Sequence, residues 1–348
     1  MVSNIKNFFK ILALGVGIIL AYMILSWNEY LSDIELWPGV ESPRVLVENI
    51  NEQSKDYAFN IFFVETNENK TKLTSKESCA IESAALNNPN ALVFYYSKNV
   101  VIDKDLVVRY KNIRAKKLIV DAILDHTSIY VQWLRMKSRV KLSNHNLNHI
   151  SNALRLAFMW KYGGIYLDTD IITIKDLSFL LNFPGIGAYT ESGINNAVLV
   201  FPKNHPFINQ TMVQFFNDYN PKCFSCYGPQ LITRVFKDFC KTKYLYQTHL
   251  LTKKKIYDKL TDSRGGGIKN DSQCNNIFIY PINYFYSIAW QKYNLIFSND
   301  SKVDKEIFID SFGVHFWNKM SKNNHSKPGD GSIYDYFSKS NCPSIKTN

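Results

Sequence analysis

The chain has 348 residues, 46% of them hydrophobic, and a formal net charge of +11. That is enough apolar material to bury a substantial core, in one large or two closely joined domains. The positive balance admits anionic partners, but no zinc-finger spacing or RNA-binding aromatic signature accompanies it, so nucleic acid is left without support.

Ile11 to Trp27 is a nearly unbroken apolar run that, with Phe8 and Phe9, approaches the ~20 residues needed to cross a bilayer. Lys6 and Lys10 precede it, and Glu29, Asp33 and Glu35 follow it. The short tail is therefore expected on the cytoplasmic side and the bulk of the chain in the lumen. The run is long for a cleaved signal peptide and no small-x-small site follows it, which favours an uncleaved anchor. Ser32 to Asp56 is polar and weakly patterned, as a stem would be.

Beyond the stem, Phe59 to Val64 reads as a buried strand closed by Glu65-Thr66. Ser75 is placed to cap a helix running to about Leu86, which Asn87-Asn88-Pro89-Asn90 ends. Ala91 to Tyr96 is the next strand, and Leu118 to Ile123 is a candidate for another. This alternation predicts an α/β fold with a mainly parallel central sheet and helices on both faces.

Ser151 to Asp170, SNALRLAFMWKYGGIYLDTD, organises the rest. Leu154, Ala157 and Phe158 recur at helical spacing behind a Ser151 N-cap, and Gly163-Gly164 suits a left-handed stop. Ile165-Tyr166-Leu167 is β-prone and delivers Asp168 and Asp170, which extended backbone would point to one side. Paired carboxylates repel unless a cation joins them, and oxygen ligands of this kind suit Mn²⁺ or Mg²⁺. Ligands also bind at the carboxyl ends of strands in open α/β sheets. An isolated Asp-x-Asp is a weak signal; the helix, the glycine pair and an inward Arg155 give this one its weight. Ile171 to Ile174 is expected to continue the strand.

In the second half, Ile186 to Tyr189 and Ala197 to Phe201 read as strands, and Pro206 to Phe216 and Gln230 to Phe239 as helices. Leu251 to Cys274 reads as a loop; its triplet Gly265-Gly266-Gly267 lacks the strand-to-helix setting of a phosphate cradle. Tyr280 to Tyr286 is aromatic and suits core packing before an acceptor groove. Ser311 to Val314 is expected as a late strand leading to His315. Six cysteines follow the apolar run, Cys79, Cys223, Cys226, Cys240, Cys274 and Cys342. An even count in an oxidising compartment favours disulfides, with the pairing open; Cys223 and Cys226 lack the second half of a zinc site.

The stretch around Asp168-Thr169-Asp170 resembles the DxD glycosyltransferases, specifically the α-1,4-glycosyltransferase family of lactosylceramide galactosyltransferases and N-acetylglucosaminyltransferases. Four further blocks share the resemblance: Ile61 to Thr66, Cys79 to Ala85, Gly228 to Phe236 and Val314 to Lys319. It spans about Phe59 to Cys342. It implies a GT-A-like nucleotide-sugar-binding fold behind an N-terminal transmembrane helix. The chain then divides into a tail (1–10), a signal anchor (11–27), a stem (28–57), a DxD sugar-nucleotide part (58–202) and a C-terminal α-1,4-glycosyltransferase part (203–342).

The same resemblance implies the chemistry. Asp168, Asp170 and His315 would hold Mn²⁺ or Mg²⁺. Arg155, Tyr166, Asp168, Gln230, Trp317 and Lys319 would bind the donor, UDP-galactose or UDP-N-acetylgalactosamine. Asp168 and Asp170 are the expected catalytic pair, with Asn196 beside the anomeric carbon and Glu191 and Asn195 near it. Anomeric configuration would be retained, by double displacement or by front-face attack. The acceptor would be a glycosphingolipid such as lactosylceramide, at the Golgi membrane, in a single-pass type II enzyme. An α-1,4-N-acetylglucosaminyltransferase acting on O-glycans, a sugar-nucleotide hydrolase and a non-catalytic sugar-binding relative are the alternatives. One departure stands out: Asn152 occupies a position where the family commonly has aspartate.

Overall fold

The computed structural model describes residues 56–190, 193–217, 219–243, 250–256, 274, 277–298, 305–324 and 329–344. The expected anchor Ile11–Trp27, almost all of the stem, Glu191 and the glycine triplet lie outside these residues. Among the described residues, no helix is long and apolar enough to cross a membrane. Gln53–Asn348 forms one compact unit.

The first half alternates as expected: β1 (Phe59–Glu65), α1 (Ser75–Asn87), β2 (Ala91–Ser97), α2 (Lys104–Arg109) and β3 (Ile113–Lys117). Three helices follow, α3 (Val120–Leu124), α4 (Tyr130–Lys141) and α5 (Asn146–Tyr162), before β4 (Gly164–Leu167) and β5 (Ile171–Thr173). The second half holds β6 (Gly185–Thr190), β7 (Gly193–Phe201), α6 (Pro206–Val213), α7 (Pro229–Phe239), β8 (Phe278–Tyr280), β9 (Gly313–His315), α8 (Asn318–Ser321) and α9 (Ile333–Asn341). The fold is α/β.

Seven strands form one sheet in the order β3-β2-β1-β4-β7-β6-β8, and β5 pairs with β9 in a separate ribbon. β3, β2, β1 and β4 run parallel, as do β6 and β8; β7 is antiparallel to both its neighbours. β1 and β2 are almost wholly buried, which is why each reads as an unbroken apolar run. The chain leaves β1 toward β2 and β3, then returns to lay β4 on the other side of β1. Such a reversal opens a crevice at the carboxyl ends of the two strands. Thr66 and Asp168 stand at those ends.

Several local expectations shift. Thr74, not Ser75, caps α1: its hydroxyl accepts from the Glu77 amide while the Glu77 carboxylate accepts from the Thr74 amide. Leu118 to Ile123 is not a strand; the strand is Ile113–Lys117, and α3 starts at Val120. β3 lies at the sheet edge, so its Arg-Ala-Lys-Lys face is partly solvated and carries no apolar run. α5 begins at Asn146, which puts Ser151 inside it. Its buried face extends back through Ile150 to His149, whose ring bonds to the Tyr219 hydroxyl and the Cys223 carbonyl. β5 leaves the main sheet instead of continuing β4, and α6 stops at Val213, short of Phe216.

Gly163 and Gly164 have φ of +65° and +96°. A Cβ on Gly164 would sit 2.4 Å from the Asn60 carbonyl oxygen of β1, so the glycine lets β4 close on β1 directly after α5. All six cysteines pair: Cys79–Cys342 joins α1 to the end of α9, Cys223–Cys226 closes a short loop, and Cys240–Cys274 anchors the end of α7.

Candidate metal and donor site

Asp168 follows β4 directly, its amide bonded to the Ala197 carbonyl of β7 at 2.9 Å. The next two residues turn: the Ile171 amide donates to the Asp168 carbonyl at 3.2 Å. A tight turn, not strand alternation, therefore brings the two carboxylates together. β5 then pairs with β9 in the register Ile171↔His315, and this pairing carries His315 to the acidic pair. Ligand atoms of Asp168, Asp170 and His315 all lie within 4.8 Å of one another.

The two aspartates have different surroundings. Asp168 accepts from the Tyr166 hydroxyl at 2.8 Å and pairs with Arg155 at 3.0 Å. Arg155 is 5% exposed and also donates to the Asn196 carbonyl at 2.7 Å and the Ser151 hydroxyl at 3.0 Å. Its guanidinium lies 4.7 Å from the Tyr166 ring. Burial alone would lower the guanidinium's pKa; Asp168 and Tyr166 outweigh it, and the net direction is up. Ser151, misplaced as a cap, thus serves as a ligand for Arg155.

Asp170 Oδ2 accepts from the Asn318 amide at 2.9 Å, at the start of α8. Its Oδ1 is buried without a hydrogen-bond partner, although His315 Nε2 lies 3.3 Å away. Burial pushes the Asp170 carboxyl up, His315 draws it back, and Asp168 adds to the rise. Lys76 of α1 enters the same field: burial lowers its pKa to about 8, against the pull of Asp170 and Glu77. It escaped the sequence reading, which offers no signal separating it from the other surface lysines.

This donor set suits a hard divalent cation: two carboxylates, one imidazole, and a carboxylate oxygen left unsatisfied where a cation would bind. One adjustment is needed. His315 Nδ1 accepts from the Trp317 amide at 3.1 Å. A neutral ring in that pose keeps its proton on Nε2, facing Asp170, so offering Nε2 to a metal requires a change of tautomer or a turn of the ring.

The remaining expected residues are distributed around this centre. Trp317 packs on His315 at 4.2 Å between ring centroids, with the rings tilted by 55°, and donates its indole N–H to the Ile288 carbonyl. Asn196 is buried and donates its amide to Asn152 Oδ1 at 2.8 Å. Asn195 accepts from the Ala197 amide, a local backbone contact. Gly228 lies against the asparagine pair, since a Cβ there would sit 3.0 Å from Asn152 Nδ2. Gln230 and Lys319 are not drawn to the acidic cluster. Gln230 donates to Ser225 Oγ at 2.7 Å, and the Lys319 ammonium lies 2.9 Å from the centroid of the Phe224 ring. Both rest on the Cys223–Cys226 loop.

Two family models match the chain. "Glycosyltransferase sugar-binding region containing DXD motif" covers residues 74–192, and "Alpha 1,4-glycosyltransferase conserved region" covers 200–261 and 260–348. Lactosylceramide 4-alpha-galactosyltransferase of Mus musculus is 28% identical over 82% of this chain and 74% of its own length. The same enzyme of Pongo pygmaeus is 31% identical over 56% of this chain and 78% of its own. Human alpha-1,4-N-acetylglucosaminyltransferase is 26% identical over 81% of this chain and 78% of its own.

Proposed function

Since this chain belongs to the DXD-containing α-1,4-glycosyltransferase family and is a hexosyltransferase, we propose that it moves galactose or N-acetylgalactosamine from a UDP-sugar onto a glycosphingolipid such as lactosylceramide. The product linkage is α-1,4, with configuration retained. We place the enzyme at the Golgi membrane, anchored through Ile11–Trp27 with the catalytic part in the lumen, in a GT-A-like arrangement.

The observation that carries this reading is the unsatisfied Oδ1 of Asp170 beside His315 and Asp168. Those three residues would hold Mn²⁺ or Mg²⁺, which supplies Lewis-acid neutralisation of the charge gathering on the departing diphosphate. Arg155 and Tyr166 both hold Asp168. These contacts engage Asp168 mainly through Oδ1, with Oδ2 held more lightly by Arg155 at 3.4 Å. Asn196 supports Arg155 through its carbonyl and is held in turn by Asn152; its engaged amide suits positioning better than nucleophilic attack. That favours front-face attack, which asks for no protein nucleophile. Trp317 offers an aromatic face for the sugar or the base. Gln230 and Lys319 reach the donor only if they leave the Cys223–Cys226 loop.

The likeness to the human N-acetylglucosaminyltransferase supports a second reading, transfer of N-acetylglucosamine. A panel of UDP-sugars offered with lactosylceramide, other neutral glycolipids and O-glycan acceptors, with linkage analysis of each product, separates the two. Galactose or N-acetylgalactosamine transfer to glycolipid in α-1,4 linkage is expected; N-acetylglucosamine transfer alone would overturn the donor assignment, and hydrolysis without transfer would overturn the activity.

A further inference from the structure

Tyr286 has no part in the roles given so far, yet it lies against the acidic centre. It is 2% exposed. Its ring is 5.2 Å from the His315 imidazole and 5.5 Å from the Trp317 indole, centroid to centroid. The backbone locks it there: the His315 amide donates to the Phe285 carbonyl at 3.0 Å, and the Tyr286 amide to the Ile282 carbonyl at 2.8 Å. From the other side β6 presents Gly187. A Cβ at that position would lie 2.8 Å from Cε2 of the ring and 3.3 Å from its hydroxyl oxygen.

A tyrosine held this firmly normally satisfies its hydroxyl. Here the hydroxyl oxygen is buried without a hydrogen-bond partner, as is Asp170 Oδ1. One is a donor and one an acceptor; the tyrosine ring packs near the imidazole whose Nε2 lies 3.3 Å from Asp170 Oδ1. Neither finds a partner among the described residues. A phenol hydroxyl is a hydrogen-bond donor, and an unpartnered one suits an oxygen acceptor.

We propose that Tyr286 is a positioning residue of the cation site, its hydroxyl donating a hydrogen bond to an oxygen that the cation holds beside Asp170. That oxygen is a water when no donor is bound and a phosphate oxygen when one is. The inference rests on the cation-binding reading of Asp168, Asp170 and His315.

The test is a Mn²⁺ titration of the full-length protein in detergent, followed by electron paramagnetic resonance, for wild type and Tyr286→Phe, with and without UDP. Removing an unsatisfied hydroxyl should leave the metal-free unfolding temperature unchanged or raise it, whereas a purely structural hydroxyl would lower it on removal. Mn²⁺ affinity should fall about 10-fold, the usual effect of losing an outer-shell partner. A loss without UDP identifies the oxygen as water, a loss only with UDP as phosphate, and both support the proposal. Gly187→Ala, which displaces the ring and keeps the phenol, should weaken Mn²⁺ binding as well. Equal affinity of Tyr286→Phe and wild type in both conditions overturns the proposal and leaves the cation site standing. A wild type that binds no Mn²⁺ overturns both.

Discussion

Asp170 Oδ1 and His315 Nε2 lie 3.3 Å apart, brought together by the β5–β9 pairing that sets Ile171 opposite His315. Two segments far apart in the chain thus meet at one carboxylate. Asp168 belongs to the main sheet through its bond to β7, and Asp170 to the small ribbon through the Phe316 amide, which donates to its carbonyl at 2.8 Å. The turn between them is the joint where the two sheets share a site.

Arg155 holds the main-sheet side of that joint. It is buried and satisfies Asp168, the Asn196 carbonyl and Ser151 at once. Lysine cannot reproduce this planar set of donors. Arg155→Ala should cost about 3–5 kcal/mol in denaturant unfolding, because it strands a carboxylate beside unsatisfied groups. Arg155→Lys should recover only part of the loss.

The raised carboxyl of Asp170 gives the metal-free protein a definite pH slope. The folded state holds this proton more tightly than the unfolded chain, so stability is greatest below the ordinary carboxylate pKa and declines as pH rises through the elevated folded value. A cation reverses the preference by favouring the ionised form. Thermal unfolding followed across a pH series should show the stabilisation by Mn²⁺ growing with pH over that window. Asp170→Asn should flatten both trends.

His205 acts in the opposite direction. Burial lowers its pKa to about 4, and its Nδ1 accepts from the Phe207 amide at the start of α6. The folded state resists a proton that the unfolded chain accepts, so stability falls as pH drops below the ordinary histidine value of about 6.5 and continues to fall to about 4. His205→Asn keeps a capping acceptor and removes the titration. It should make acid unfolding shallower between those limits.

Cys79–Cys342 ties α1 to the end of α9, and the Glu82 carboxylate reinforces the tie by accepting from the Ser344 amide at 2.9 Å. Replacing both cysteines by alanine should lower stability by about 2–5 kcal/mol. α1 also carries the Lys76 ammonium into the field of Asp170, where its like charge opposes a cation, so Mn²⁺ affinity should hold or rise in the same variant. Calorimetry with and without Mn²⁺ reads both effects.

Much of the first half was legible in the sequence because burial on both faces writes strands as apolar runs: β1 and β2 are found within a residue, as are the glycine stop and β4. β3 escaped because an edge strand carries charges on its open face. Ser151 misled because its hydroxyl suits a cap and an arginine contact equally, and only the buried His149 and Ile150 extend the helix behind it. The proximity of Asp168 to Asp170 was foreseen, but for the wrong geometric reason, since a turn produces it. The meeting of His315 with the pair depends on a long-range ribbon that no local periodicity records; the family resemblance supplied it. Tyr286 lay in an aromatic stretch indistinguishable by pattern from ordinary core.

The most direct measurement of the central claim is Mn²⁺ binding and Mn²⁺-dependent turnover of UDP-sugar by wild type and by the double variant Asp168→Asn with Asp170→Asn, at matched folding by circular dichroism. Wild type should bind one Mn²⁺ and lose turnover on chelation, while the folded double variant should bind none and turn over nothing. A double variant that works normally, with all metal chelated, would contradict the account.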